Sequence, residues 1–396
     1  MNKAATIVNC IKKVIGQETQ EIYIHEPSFS QTNALSYVED CINTGWVSSA
    51  GKYVNRFEEL ISEYTGSKYV IAVNNGTSAL RLALFTVGVR ANDEVIIPPL
   101  SFVATANAIS HLGALPHFVD IESSYLGICP LALEKRLEYI ACRKGDNVFN
   151  KFTGNKIAAI VPVHVFGIPA KIKEIRKICS QWNIPLVEDA AEALGSSISI
   201  SEKDKKHCGC FGDVGILSFN GNKIITTGGG GALLTNCLEK AKLAKHLSTT
   251  AKLDHEWEFF HDQIAWNDRL PNINAALGVS QMEKLKVKLR LKRSLHARYK
   301  KIFENIPEIE VLEEDTKSES NYWLSTIRIL GNEPQKLRNE ILSFAHSSKI
   351  FLRPSWTLIN QLPMYENSQF GDLSESYNQS KRLINLPSSP QLIKDS

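Results

Sequence analysis

Seven short apolar runs without polar alternation constrain this chain more than any other feature. They lie at residues 69–73, 94–97, 115–119, 157–163, 185–188, 214–219 and 232–235. Each predicts a strand buried on both faces, because a strand with one wet face would alternate polar and apolar residues. Helical patterns at 79–87, 102–112 and 170–182 separate several of them. Strands joined by helical crossovers form parallel pairs, so the pattern predicts an α/β fold with a mostly parallel central sheet. In such sheets ligands gather at the C-terminal ends of the strands.

Other patterns flank this series. Residues 3–17, 33–42 and 56–64 predict helices. After Pro271 the rhythm changes: 273–303 predicts one long helix, whose Lys/Arg-rich middle is a solvated face. Short strands at 309–312, 322–330 and 350–353 and a helix at 334–346 then predict a smaller α/β unit. The expected division is an N-terminal helical extension (1–24), a large domain (25–275) and a small C-terminal domain (276–396).

Composition excludes several classes. The chain has 396 residues, 43% hydrophobic and 22% charged, with a net charge of +3. No basic tract interleaves with aromatics, so no nucleic-acid partner is expected. No apolar run is long enough for a membrane span, and the N-terminus lacks the apolar core of a signal peptide. Eight scattered cysteines suit a reducing cytoplasm. Cys208-Gly209-Cys210 beside His207 has neither the spacing nor the second pair of a zinc knuckle, and no metal is expected there.

Three stretches at predicted strand ends carry chemistry. Asn75-Gly76-Thr77-Ser78 opens a helix, where free N–H groups and hydroxyls suit a phosphate; a plain helix cap uses the same residues. Asp189, ending Val187-Glu188-Asp189, is a carboxylate placed to meet a ligand, and equally suits a structural ion pair. Lys223 follows the strand that ends near Ser218 and precedes the glycine run 228–231. A lysine near a phosphate cradle and a buried carboxylate suggests pyridoxal 5′-phosphate (PLP): the lysine holds the aldehyde as a Schiff base, and the carboxylate pairs the pyridinium nitrogen. Ser218 would add a hydroxyl to the phosphate. The fingerprints of nicotinamide, P-loop, nucleophile-elbow and zincin enzymes are absent.

These stretches resemble the DegT/DnrJ/EryC1/StrS sugar aminotransferases. Ser218-Phe219-Asn220-Gly221-Asn222-Lys223-Ile224-Ile225-Thr226-Thr227-Gly228-Gly229-Gly230-Gly231 resembles their PLP-lysine motif, and Asn75-Gly76-Thr77-Ser78-Ala79-Leu80 their phosphate turn. Val187-Glu188-Asp189-Ala190-Ala191-Glu192-Ala193-Leu194-Gly195 resembles their pyridinium segment, in which many members have Gln at the position of Glu192. Phe102 matches the aromatic that stacks on the ring. Asn267-Asp268-Arg269-Leu270-Pro271-Asn272 resembles the segment whose asparagine, here Asn267, reaches the partner subunit's PLP phosphate; Asp268 stands where a Tyr is usual. The likeness covers residues from about 25 to the end, and is strongest to the LegC-like branch. Relatives continue for another short helix, so a shortened C-terminus is expected.

The resemblance implies a homodimeric PLP-dependent transferase of fold type I, catalysed by Lys223 and Asp189. It implies L-glutamate as donor, pyridoxamine phosphate (PMP) as the cofactor's form between half-reactions, and a UDP-linked 4-keto-6-deoxy-N-acetylhexosamine as acceptor, with GDP- or dTDP-linked keto sugars as alternatives. A non-catalytic PLP-binding protein on the same fold is the rival reading. Arg353 matches a segment near the active site, where it would hold a phosphate or carboxylate or form a structural ion pair. His164 would line the pocket or sit satisfied in the core. Trp46 and Ser48 would border the sugar-nucleotide pocket or simply pack their loop.

Overall fold

The computed structural model describes residues 3–16 and 21–393. Eight strands form the central sheet: β1 (Tyr69–Val73), β2 (Glu94–Ile97), β3 (Leu115–Phe118), β4 (Ile157–Ile160), β5 (Val187–Asp189), β6 (Val214–Ser218), β7 (Gly231–Thr235) and β8 (Gln369–Phe370). Their order is β8-β3-β2-β4-β5-β6-β7-β1, the β4–β5 junction being made by the bridges Ile160–Leu186 and Val163–Asp189. Pairing is parallel throughout β8 to β6, and β7 runs antiparallel to both β6 and β1.

The lack of alternation in these strands has a direct cause. Ile96 enters one hydrophobic cluster while Val95 and Ile97 enter the other, on the opposite face. Leu217 and Ile216 divide the same way. Successive side chains point to opposite faces, and both faces are covered.

A second sheet is built from Ile309–Val311, Thr326–Ile329, Leu383–Asn385 and Arg353–Pro354, in that order and antiparallel. Helix α1 (Lys3–Ile15) packs into its core: Ile7, Val8 and Ile11 share a cluster with Leu295, Ile327 and Ile341. The expected helix end at residue 17 lies outside the described residues.

Several expectations change. The long helix is broken into Asn272–Met282 and Leu285–Phe303. The strand expected at 322–330 shortens to Thr326–Ile329, because Tyr322 takes a left-handed φ of 45°. That expected at 350–353 shifts to Arg353–Pro354. Helices Pro130–Ile140 and Leu238–Ser248 and the hairpin Ala141–Asn150 carry no strong local pattern and escape the sequence reading.

The glycine run joins β6 to β7 and is pressed against the start of α2 (Gly76–Thr86). A Cβ on Gly231 would lie 2.5 Å from the Asn75 carbonyl oxygen, whereas one on Gly229 would meet nothing closer than 3.7 Å. Gly231→Ala should therefore destabilise the protein by about 1–3 kcal/mol, and Gly229→Ala should stay within about 0.5 kcal/mol. Chemical denaturation of the two variants checks this contrast.

Candidate active site

The C-terminal ends of β5 and β6 and the start of α2 border a cavity of about 390 Å³. Gly76, Thr77, Phe102, Asp189, Glu192, Ser218, Lys223 and Arg353, all singled out in the sequence, line it. Trp323, Trp356, Thr105 and Asn385 line it as well.

The helix start is built for close approach. Asn75 caps α2 by accepting the Ser78 N–H at 2.8 Å. A Cβ on Gly76 would lie 2.8 Å from the Ser218 Cβ, so only glycine lets these backbones meet. Ser78 itself does not serve the cavity. Asn75 takes its N–H, and its hydroxyl reaches Asp268 Oδ1 at 3.3 Å. Of the residues expected to cradle a phosphate, Gly76, Thr77 and Ser218 line the cavity.

Asp189 is buried at the cavity base. One oxygen accepts from the Thr105 hydroxyl at 2.8 Å and the other from the Ala191 N–H at 3.2 Å. Burial raises its pKa, against the pull of these two donors and of Lys223. A buried carboxylate with this bias favours a cationic partner.

Lys223 sits in the turn after β6, its N–H donated to the Asn220 carbonyl at 3.0 Å. Its amine lies 3.4 Å from Glu192 Oε1 and 4.0 Å from the centre of the Trp323 ring. Glu192 is 6% exposed, and burial pushes its pKa up to about 7, with Lys223 opposing and Asp189 adding to the rise. Its second oxygen accepts the Phe166 N–H at 2.8 Å.

Trp323 is fixed from several sides. The Asn321 side chain accepts its N–H at 2.7 Å, buried Lys292 donates to its carbonyl at 3.0 Å, and its indole N–H donates to the Asn222 carbonyl at 2.7 Å. It escapes a sequence reading because its segment meets the cavity only after the C-terminal unit folds back. Trp356, 4.9 Å from Phe166 between ring centres, is hidden for the same reason.

His164 does not line the cavity. It is fully buried; Nδ1 accepts from the Ala170 N–H at 3.1 Å, so Nε2 carries the proton and donates to Glu188 at 3.1 Å. Glu188 also accepts N–H groups of Gly209 and Gly212, at 2.9 and 2.6 Å, and that of Phe211. The Cys208-Gly209-Cys210 loop is thus a cap on a buried carboxylate. No group of three or more His, Cys, Asp or Glu suited to a metal occurs among the described residues.

Trp46 and Ser48 are exposed and lie away from this cavity. Their loop is fastened by Asn272, whose side chain donates to the Trp46 carbonyl at 2.7 Å and accepts the Tyr53 N–H at 3.0 Å. Asn267 is also exposed and outside the cavity. Arg353 is exposed at the cavity mouth, with no side-chain partner among the described residues.

The sequence profile of the DegT/DnrJ/EryC1/StrS aminotransferase family matches residues 30–396. The chain belongs to that family. It is 35% identical over 380 residues to a GDP-perosamine synthase of Vibrio cholerae, covering 94% of this chain and 95% of the relative. It is 33% identical over 278 residues to a UDP-4-amino-4,6-dideoxy-N-acetyl-beta-L-altrosamine transaminase of Campylobacter jejuni, covering 69% and 68% of the two chains. The solved structure of Helicobacter pylori PseC, an aminotransferase of pseudoaminic acid biosynthesis, superposes with a TM-score of 0.81 at 26% identity, covering 93% of this chain and 94% of that one. The fold is that of fold type I PLP-dependent transferases, and the protein is an aminotransferase of the nucleotide-sugar class.

Burial of Glu192 has a measurable consequence. Its pKa is about 7 in the fold and near the ordinary carboxylate value of 4.5 when unfolded. Between these values the folded state binds more protons, so this group's stabilisation is full below 4.5 and is lost as pH rises through 7. In cofactor-free protein, the thermal midpoint of Glu192→Gln should gain on wild type as pH rises from about 5 to about 7. Paired melting curves across that range check the sign.

Proposed function

We propose that this chain uses PLP to move an amino group from L-glutamate to C4 of a nucleotide-linked 4-keto-6-deoxy sugar, with a UDP-linked N-acetylhexosamine as acceptor. The observation that carries the reading is the convergence of Lys223, Asp189 and the Gly76–Thr77 turn on one cavity. The residues fit the cofactor: the glycine at the cradle leaves space that a Cβ would fill, and a buried carboxylate stands at the base.

PLP, when bound, supplies an electron sink for the charge left as a Cα proton is removed. The chain's own residues supply the rest. Gly76, Thr77 and Ser218 would hold the phosphate, Phe102 would face the ring, and Asp189 would keep the ring nitrogen protonated. The Lys223 amine would take a proton from the donor's Cα as a general base and deliver it to the cofactor's former aldehyde carbon as a general acid. Arg353, unpaired at the mouth, would grip an anionic group of donor or nucleotide. The aromatic wall of Trp323 and Trp356 excludes water from the base of the cavity.

A homodimer is part of this reading. Trp257, Phe259, Phe260 and Ile264 are exposed by 72, 79, 59 and 94%, a patch that suits burial against a second copy. Asn267, facing away from its own cavity, suits a role in the partner's. A cytoplasmic location is supported by eight unpaired cysteines; no described helix is long and apolar enough to cross a membrane.

A GDP-linked acceptor is the second reading, favoured by the 35% identity to the GDP-perosamine synthase. Assays with both sugar nucleotides separate the two.

Adding PLP should produce a visible absorption band that L-glutamate bleaches, and turnover should follow ping-pong kinetics. Lys223→Ala should bind PLP without turnover. Full turnover by that variant removes the assigned role of Lys223, and an absent band in the wild type removes the reading itself.

A further inference from the structure

Glu192 is the one carboxylate within ion-pair distance of Lys223 among the described residues. Both oxygens of Asp189 are already engaged by Thr105 and Ala191. Glu192 differs: one oxygen is anchored by the Phe166 N–H, and the other faces the lysine amine. The anchor is unusual. Phe166 holds a left-handed φ of 57°, a costly conformation for a bulky residue, which persists only where its surroundings enforce it. Asn321 adds a second tie, donating to the Glu192 carbonyl at 2.8 Å. Opposite Glu192, the Trp323 ring closes the other side of the amine.

We propose that Glu192 is the proton acceptor for Lys223: a proton passes from Nζ to Oε1 whenever the lysine must become a neutral nucleophile, and returns when the lysine is released. An N–H bond breaks and an O–H bond forms. Ammonium and carboxylate become amine and carboxylic acid, so the pair's net charge is zero before and after, which suits a largely buried pair. The charged groups acting on Glu192 are Lys223 from the turn after β6 and Asp189 from the end of β5. Burial already favours the neutral carboxyl, which lowers the cost of the transfer. Glutamine at this position would have no oxygen that titrates. The inference rests on the reading that Lys223 takes PLP.

The test uses cofactor-free full-length protein at about pH 8, where Glu192 starts as a carboxylate. PLP is added in weak buffer, and proton release, the visible band and the infrared difference spectrum are recorded. Where the Schiff-base nitrogen carries no proton, wild type should show the carbonyl-stretch band of a protonated carboxyl group; Glu192→Gln should lack it and release about one more proton per site. Pyridoxine 5′-phosphate, which has no aldehyde, should produce neither change, and its binding reports whether the variant's site is intact. Equal proton release by both proteins, or persistence of the band in the variant, overturns the proposal. So does a wild-type spectrum without that band, a result that needs no variant. A missing visible band would instead remove the assignment of PLP to Lys223.

Discussion

One buried ion pair, Lys223 with Glu192, with a second buried carboxylate acting on it from farther off, sets the terms for the rest of the structure. Lys223 is 12% exposed in its side chain, and Asp189 and Glu192 are each 6% exposed. Taking such charges out of water costs several kcal/mol per ion unless pairing and hydrogen bonds compensate. Here the two acids are supported differently. Asp189 has a hydroxyl and a backbone N–H on separate oxygens, which favours its charged form. Glu192 has one backbone donor and the lysine, so its charge depends on the lysine's. Burial raises the pKa of both carboxylates, and different partners oppose the rise at each.

The scaffold behind them is tied by hydrogen bonds to buried side chains. Glu188 lies next to Asp189 in the strand but points the other way, as strand geometry requires. It gathers three N–H groups of the Cys208–Gly212 loop and the His164 ring. That network fixes β5 from behind while Asp189 faces the cavity. On the opposite side, Lys292 is buried and donates to the carbonyls of Trp323 and Ser388, at 3.0 and 2.5 Å. Residues near the chain's C-terminus therefore help place the tryptophan that walls in Lys223.

The same contrast explains which parts were legible in the sequence. The strands of the central sheet announce themselves because burial on both faces leaves unbroken apolar runs. Lys223, Asp189 and Gly76 stand where such runs end, so topology alone brings them together. Trp323 and Trp356 have no such marker; their position depends on contacts more than a hundred residues away in sequence, such as Trp323 with Asn222. His164 leaves two readings open because a strand end offers two directions, and its ring takes the one into the core, toward Glu188. Ser78 misleads because a serine in a helix's first turn can point along the helix or across it, and here Asp268 draws it across. The break between Met282 and Leu285 escapes notice because no proline or glycine marks it.

Asp268 shows how a departure from a family pattern acquires its own logic. A carboxylate at this position needs a cation, and Arg81 supplies one at 2.5 Å while its guanidinium lies 4.5 Å from the centre of the Trp266 ring. Arg81 lies on α2, one turn beyond the cradle, and Ser78 donates to the same carboxylate. The segment's backbone joins in: the Asn74 N–H donates to the Asp268 carbonyl at 2.8 Å. One acidic residue thereby ties both ends of the cradle turn to the segment that carries Asn267 outward. The inward side chain secures the helix start of its own chain, while its exposed neighbour Asn267 accepts only from Arg269 among the described residues, at 3.4 Å. Alternation along an extended segment is enough to separate the two roles.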